Sequence, residues 1–196
     1  MSNVNIVSAR APTKYGGSTS TWAAPPPSWM SRTWVITHST LKTRASAKNC
    51  RVTYSTTTSS HGKVKLSQTS KTEAKGKLHT STTTSVGARN ADAVGEFEAK
   101  GKGFMKNSSR WEVLGWGDIT NDNGEVVESW MIVYHAPSTG AKEGVDVMTS
   151  RKEGMGSETA QRCINALKRL PDGANKLKNS VVMDLRVIDI VGPWKE

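Results

Sequence analysis

Between Trp34 and Arg151 turn signals cut the chain into eight runs of strand length, and this spacing restricts the fold more than any other feature. The runs are "TWVITHSTL", "CRVTYSTT", "KVKLSQTS", "KLHTSTTTSV", "GEFEAKGKGF", "RWEVLGWGD", "VESWMIVYHA" and "GVDVMTSR". In the fifth, Glu96, Glu98, Lys100 and Lys102 fall on one face and Phe97, Ala99, Gly101 and Gly103 on the other, the period of a pleated strand. The fourth is dominated by β-branched threonine, which suits a sheet and disfavours a helix. Short connections, of which Asn121-Asp122-Asn123-Gly124 is the clearest, favour antiparallel neighbours. Such a sheet has two edges to hide, and closing it removes both. The expected class is all-β: an eight-stranded antiparallel up-and-down barrel, whose interior side chains fill or which holds one small ligand.

The flanks complete this plan. Residues 1–30, with Gly16-Gly17, a Ser/Thr run and Pro25-Pro26-Pro27, cannot bury enough surface to order alone. They form an arm, flexible or draped over the barrel, where Trp22 and Trp29 suggest a covering role. Residues 31–196 are one barrel domain. Ser157 and Glu158 open a helix over 157–170, with Ala160, Cys163, Ile164 and Leu167 as its apolar stripe, and Pro171-Asp172-Gly173 stops it. The last run, "VVMDLRVIDIV", alternates and leaves room for an extra strand beside the barrel.

Charge and cysteine content narrow the function classes. A formal net charge of +10 attracts anions. The basic residues are scattered over turns and the helix without interleaved exposed aromatics, so nucleic acid is expected to bind weakly and without sequence preference. The N-terminus lacks the apolar segment of a signal peptide and nothing later spans a membrane, so no membrane insertion and a cytoplasmic location are expected. Cys50 and Cys163 lack metal-ligand spacing and read as free thiols, or as one long-range bridge in an exported protein. The four His show no metal pattern, no GxSxG elbow occurs, and "GKGFMKNSS" lacks the spacing of a phosphate loop, so neither metal nor cofactor is expected.

Trp34 at the start of the first strand, Arg151 after the eighth, and a helix directly after Arg151 together resemble the lipocalins, within the broader calycin group. The resemblance covers residues 31 to 170. It implies that Trp34 closes the barrel floor, that Arg151 packs across it as a structural closure, and that the helix lies outside. A guanidinium stacked on an indole gains cation–π attraction while sealing that end. Two departures stand out: Arg32 replaces the family's Gly two residues before the Trp, and the aromatic motif before the seventh strand survives only as Ser129-Trp130.

Facing follows from alternation. Arg151 under the barrel puts Thr149, Val147 and Val145 inward. Similarity to the family's seventh strand puts Met131, Val133 and His135 inward. Trp34 brings Ile36 and His38 with it, and Val52 shares a face with Tyr54. In the sixth strand, Glu112, Leu114, Trp116 and Asp118 share the face that gives a lining rather than a void. The expected ligand-binding set is Tyr54, Glu112, Leu114, Trp116, Met131, Val133 and Val147. His135, His38 and Asp118 are the candidate catalytic groups, because a near-neutral imidazole and a desolvated carboxylate transfer protons. A lone His on a strand is more often structural, and tryptophans more often belong to a core. The leading expectation is therefore binding of a small hydrophobic molecule. The alternative is a cofactor-independent cyclase or isomerase on the same barrel, shaping an apolar substrate with acid/base assistance. Weak nucleic-acid binding ranks third.

Overall fold

A computed structural model describes residues 6–17, 30–58, 64–87, 96–100, 108–138, 141–192 and 194. Trp22, Trp29, His61, Gly101 and Gly103 lie outside the described residues. Eight strands follow the expected order: β1 (Thr33–Ser39), β2 (Lys48–Thr58), β3 (Val64–Ala74), β4 (Lys77–Gly87), β5 (Glu96–Lys100), β6 (Ser108–Thr120), β7 (Val126–His135) and β8 (Gly144–Thr149). Each pairs antiparallel with the next, and β1 pairs with both β2 and β8, so the ladder closes on itself. Local chemistry fixes the hairpins. Lys75 (φ 49°) and Gly76 (φ 73°) make a two-residue turn whose left-handed backbone matches strand twist. At the β6–β7 turn the Asn121 side-chain oxygen accepts from the amides of Asn123 and Glu125, and Gly124 takes φ 79°.

Two apolar cores lie on opposite sides of the barrel wall. The inner one joins Trp34, Ile36, Val52, Met131, Val133 and Met148. The outer one packs Leu114, Trp130, Ile132, Tyr134, Val145 and Val147 of β6–β8 against two helices. The first, α1 (Ser157–Lys168), buries Ala160, Cys163 and Leu167 of the stripe expected from sequence, with Ile164 only half-buried, and ends two residues before the expected Leu170. The second, α2 (Asn175–Asp184), takes up the start of the run expected to alternate. Leu177 and Val181, four residues apart, bury on the barrel, while Val182 and Met183 stay exposed. Tertiary burial of an i, i+4 pair here outweighs the strand preference of consecutive valines.

The extra strand exists but is short. β9 (Arg186–Val187) pairs with His38 and Ser39 of β1. β1 and β2 pair only through Thr33–Val35 and Arg51–Thr53, and the C-terminal segment occupies the space where they part. The Ile188 amide donates to the Thr37 carbonyl and the Asn49 amide to Asp189. The Asn49 side chain brackets Val191, donating to its carbonyl at 2.8 Å and accepting from its amide at 2.7 Å. Ile188 then joins the inner core. At the other end of the chain, residues 6–17 lie along β6: the Arg10 amide donates to the Leu114 carbonyl, and Arg10 pairs with Glu112 at 3.0 Å. Gly115 permits this approach, since a Cβ there would sit 2.4 Å from the Ser8 carbonyl oxygen.

Candidate functional site

The strands place the expected residues unevenly. Tyr54, Met131 and Val133 belong to the inner core, and Trp116 packs against it half-buried. Glu112 and Leu114 do not line the interior. The β6–β7 register shifts between Val113 and Gly115, so Trp111 and Val113 face in while Leu114 joins the outer core and Glu112 receives Arg10 and Thr13. One inserted residue exchanges the faces of everything on one side of it. His38 turns outward for the same reason: the β1–β8 register shifts between Ile36 and His38, which therefore pairs with Val147 and Val187. Burial there lowers the His38 pKa. Val147 and Val145 also face outward, under the helices, and Asp146 and Met148 take the inward positions.

The floor of the barrel is closed by a different cation from the one expected. Arg151 is exposed, whereas the Arg32 guanidinium lies 5.6 Å from the centre of the Trp34 ring. Arg32 also donates to Ser129 Oγ at 2.9 Å, which donates in turn to Asp118. The indole nitrogen of Trp34 donates to the Met30 carbonyl. Asp118 therefore sits at the exposed end of a polar chain at the closed end of the barrel. His38, Asp118 and His135 do not converge on one place: one is outside the wall, one at the floor, and one at the opposite rim.

His135 instead meets a group that sequence reasoning passed over. Asp146 is fully buried, and three donors converge on it: Ser39 Oγ at 2.6 Å, Arg44 Nη2 at 2.9 Å and His135 Nε2 at 2.9 Å. β7, β8 and β1 supply His135, Asp146 and Ser39 from adjacent registers, while Arg44 comes from the single helical turn Lys42–Arg44 in the β1–β2 connection. Burial alone would raise the Asp146 pKa, but the charges of Arg44 and His135 and the hydrogen bonds from His135 and Ser39 hold it at about 2. An ionised carboxylate only accepts, so the proton of this hydrogen bond is on His135 Nε2 and Nδ1 is the ring nitrogen left for another partner. Burial would lower the Arg44 pKa, but Asp146 raises it overall. The Arg44 Nε is buried without a hydrogen-bond acceptor. Cys50 and Tyr54 flank this group, and burial pushes both pKa values up.

An aromatic cluster adjoins the polar one. Phe97 stacks on Trp111 at 4.1 Å between centroids, and the Tyr54 ring lies 5.6 Å from Trp111, tilted by 32°. Trp111 pairs with His135 across the β6–β7 ladder, which brings aromatic surface beside the imidazole. Among the described residues no group of three or more His, Cys, Asp or Glu is arranged to hold a metal ion. Both cysteines are buried free thiols. No helix among the described residues is long and apolar enough to cross a membrane. The sequence did carry a signal for Asp146, a single acid in the apolar run "GVDVM", but none for Arg44.

An eight-stranded antiparallel barrel, closed at one end beneath an N-proximal tryptophan and carrying its C-terminal helix outside, is a lipocalin fold. Solved structures bear out that class. Apocrustacyanin C2 is similar with a TM-score of 0.58 at 11% identity, covering 96% of this chain and 92% of its own. Lobster apocrustacyanin A1 gives 0.55 at 11% identity over 97% of this chain and 94% of that one, and apocrustacyanin C1 gives 0.53 at 12% over 83% and 78%. No family model and no curated protein matches the sequence.

Proposed function

We propose that the barrel interior binds one small, largely apolar molecule, held by a hydrogen bond to His135. The observation that carries this reading is the His135–Asp146–Arg44 network standing beside the Trp111–Phe97–Tyr54 cluster. Apolar walls with a few fixed polar groups are the usual construction of a small-molecule pocket, and buried networks fix their members rigidly. The lipocalin fold of the neighbouring structures supports a ligand-holding barrel. The test is mass spectrometry of whatever co-purifies, followed by titration with an apolar fluorescent probe monitored through the tryptophans. His135→Ala is expected to weaken binding about tenfold, the worth of one hydrogen bond of about 1.4 kcal/mol. Unchanged affinity for both probe and native ligand would remove His135 from the site.

A second reading rests on the same dyad. His135, oriented by an ionised Asp146, has the arrangement of a general base, so a cofactor-independent isomerase or cyclase acting on a largely apolar substrate fits. Arg44 already neutralises that carboxylate, which ranks this second. The two readings separate kinetically. For an enzyme, His135→Gln lowers turnover of the co-purified compound by about 10²–10⁴ with affinity nearly kept; for a binder, the compound is released unchanged. Nucleic acid is expected to bind only through the net charge, with affinity falling steeply as salt rises.

A further inference from the structure

The interior has two unlike walls. On the β6–β8 side, Trp111, Val113, Met131, Val133 and Met148 form an apolar surface. On the β3–β4 side the inward positions are polar. Leu66 belongs to the inner core, so alternation along β3 places Gln68, Ser70 and Thr72 on the same face. Two contacts agree with this: Gln68 donates to Ser70 Oγ at 3.3 Å, and Thr72 hydrogen-bonds Cys50 of the inner core. The β3–β4 register runs without a shift from Lys65↔Val86 to Ala74↔Lys77, pairing Gln68 with Thr83, Ser70 with Ser81 and Thr72 with His79. Those three β4 residues therefore face in, while the Thr69–Thr82 pair, bonded at 3.2 Å, faces out.

Exposure separates the two walls further. Every residue from His79 to Thr84 is exposed whichever face it takes, and Gln68, Ser70 and Thr72 are half-buried. The inner side of β3–β4 is therefore wetted, whereas Met131, Val133 and Met148 are sealed from water. A wholly apolar ligand gains nothing against a wall of hydroxyl and amide groups and strips their water without replacing it. A ligand whose own hydroxyls reach those groups replaces that water while its other side lies on Phe97 and Trp116, the half-buried aromatics packed on the inner core. We infer that the ligand is facially amphipathic: a rigid apolar framework with hydroxyl groups along one side, the hydroxyls directed at Gln68, Ser70, Thr72, His79, Ser81 and Thr83. The inference rests on the small-molecule reading above and specifies its ligand class.

Bile acids test it, because cholate and lithocholate share one ring skeleton and one carboxylate but cholate carries two more hydroxyls on a single face. By apolar transfer alone lithocholate binds more tightly to any greasy cavity. Isothermal titration of the full chain below micellar concentrations is expected to show the reverse, with cholate at least tenfold tighter. Gln68→Met with Thr83→Val, near-isosteric changes on a half-exposed wall, is expected to restore the preference for lithocholate, with the melting temperature checking that the barrel stays folded. Lithocholate binding as tightly as cholate, or more tightly, in the unaltered protein overturns the inference and leaves the small-molecule reading intact. Binding of neither acid, together with no response to the apolar fluorescent probe, overturns both. Binding of the probe alone overturns only the ligand class.

Discussion

Replacing Asp146 by Asn keeps the shape of the side chain and removes the charge on which Ser39, Arg44 and His135 converge. Arg44 would then be a cation with a side chain only 13% exposed and no counter-charge, and the new amide would set N–H donors against donors. Removing one partner of a buried pair costs about 3–5 kcal/mol, a large part of the roughly 5–15 kcal/mol that holds a domain together. A separate figure comes from protonation. The unfolded carboxyl titrates near 3.8 and the folded one near 2, so below pH 4 the unfolded state takes up protons first. Stability from this group is full above pH 4 and is lost as pH falls towards 2, by about 2 kcal/mol. Urea unfolding followed by tryptophan emission at pH 7 measures the first quantity, and a pH series measures the second. Glu143, also held at about 2, contributes a slope in the same window, so the difference between wild type and Asp146→Asn isolates Asp146. Adding Arg44→Met should recover most of the loss, because it removes the buried cation that Asp146→Asn leaves without its carboxylate. A cost under about 1 kcal/mol at pH 7, with an unchanged acid slope, would refute the reasoning.

Three further outcomes follow from named contacts. Arg32→Ala should lower stability by about 1 kcal/mol through loss of its packing on Trp34, whereas Arg151→Ala at its exposed position should change the thermal midpoint by little more than error; equal effects would argue against the observed closure. Gly115→Ala should cost about 1–3 kcal/mol and free the N-proximal segment, since the added Cβ meets backbone oxygen at 2.4 Å; hydrogen exchange at the Arg10 amide reads this directly, and retained protection would contradict it. Asn49→Gly preserves the positive φ of 48° but deletes both bonds to Val191, so exchange at the Val191 amide should accelerate while the Lys75-Gly76 turn is unaffected.

Much of the architecture was legible because a barrel wall advertises itself. Strand length, turn chemistry and the Ala160–Cys163–Leu167 stripe each follow from local periodicity, and the structure carries all three. The inward set on β7, Met131 and Val133, also holds, because β7 runs beside β8 without a shift. α2 was not legible: Val181, Val182 and Met183 read as strand until Leu177, four residues before Val181, finds the barrel surface. Arg44 was invisible for another reason. It sits in a connection, and no periodicity says that a loop cation will turn into the barrel to meet a carboxylate about a hundred residues away in sequence.

The errors in facing have two physical sources, and both bear on how the polar site is recognised. In β1 an insertion between Ile36 and His38, and in β6 one between Val113 and Gly115, reverses parity, so His38 and Leu114 leave the interior. Alternation fixes a face only up to such an insertion. β8 has no insertion and was still misread, because all six of its residues are buried, the outer side beneath helices and the inner side within the barrel. In a strand covered on both faces hydrophobic alternation carries no information, and extrapolating from Arg151, beyond the bend at Ser150, chose the wrong parity. What remains informative in such a strand is the one residue that cannot be buried alone. The helix-covered side of β8 sets Val145 and Val147 against Cys163, Leu167, Leu177 and Val181, whereas the inward side brings Asp146 to Ser39, Arg44 and His135. An acid in a doubly covered strand thus predicts both its own direction and a cation, here Arg44, inside the barrel.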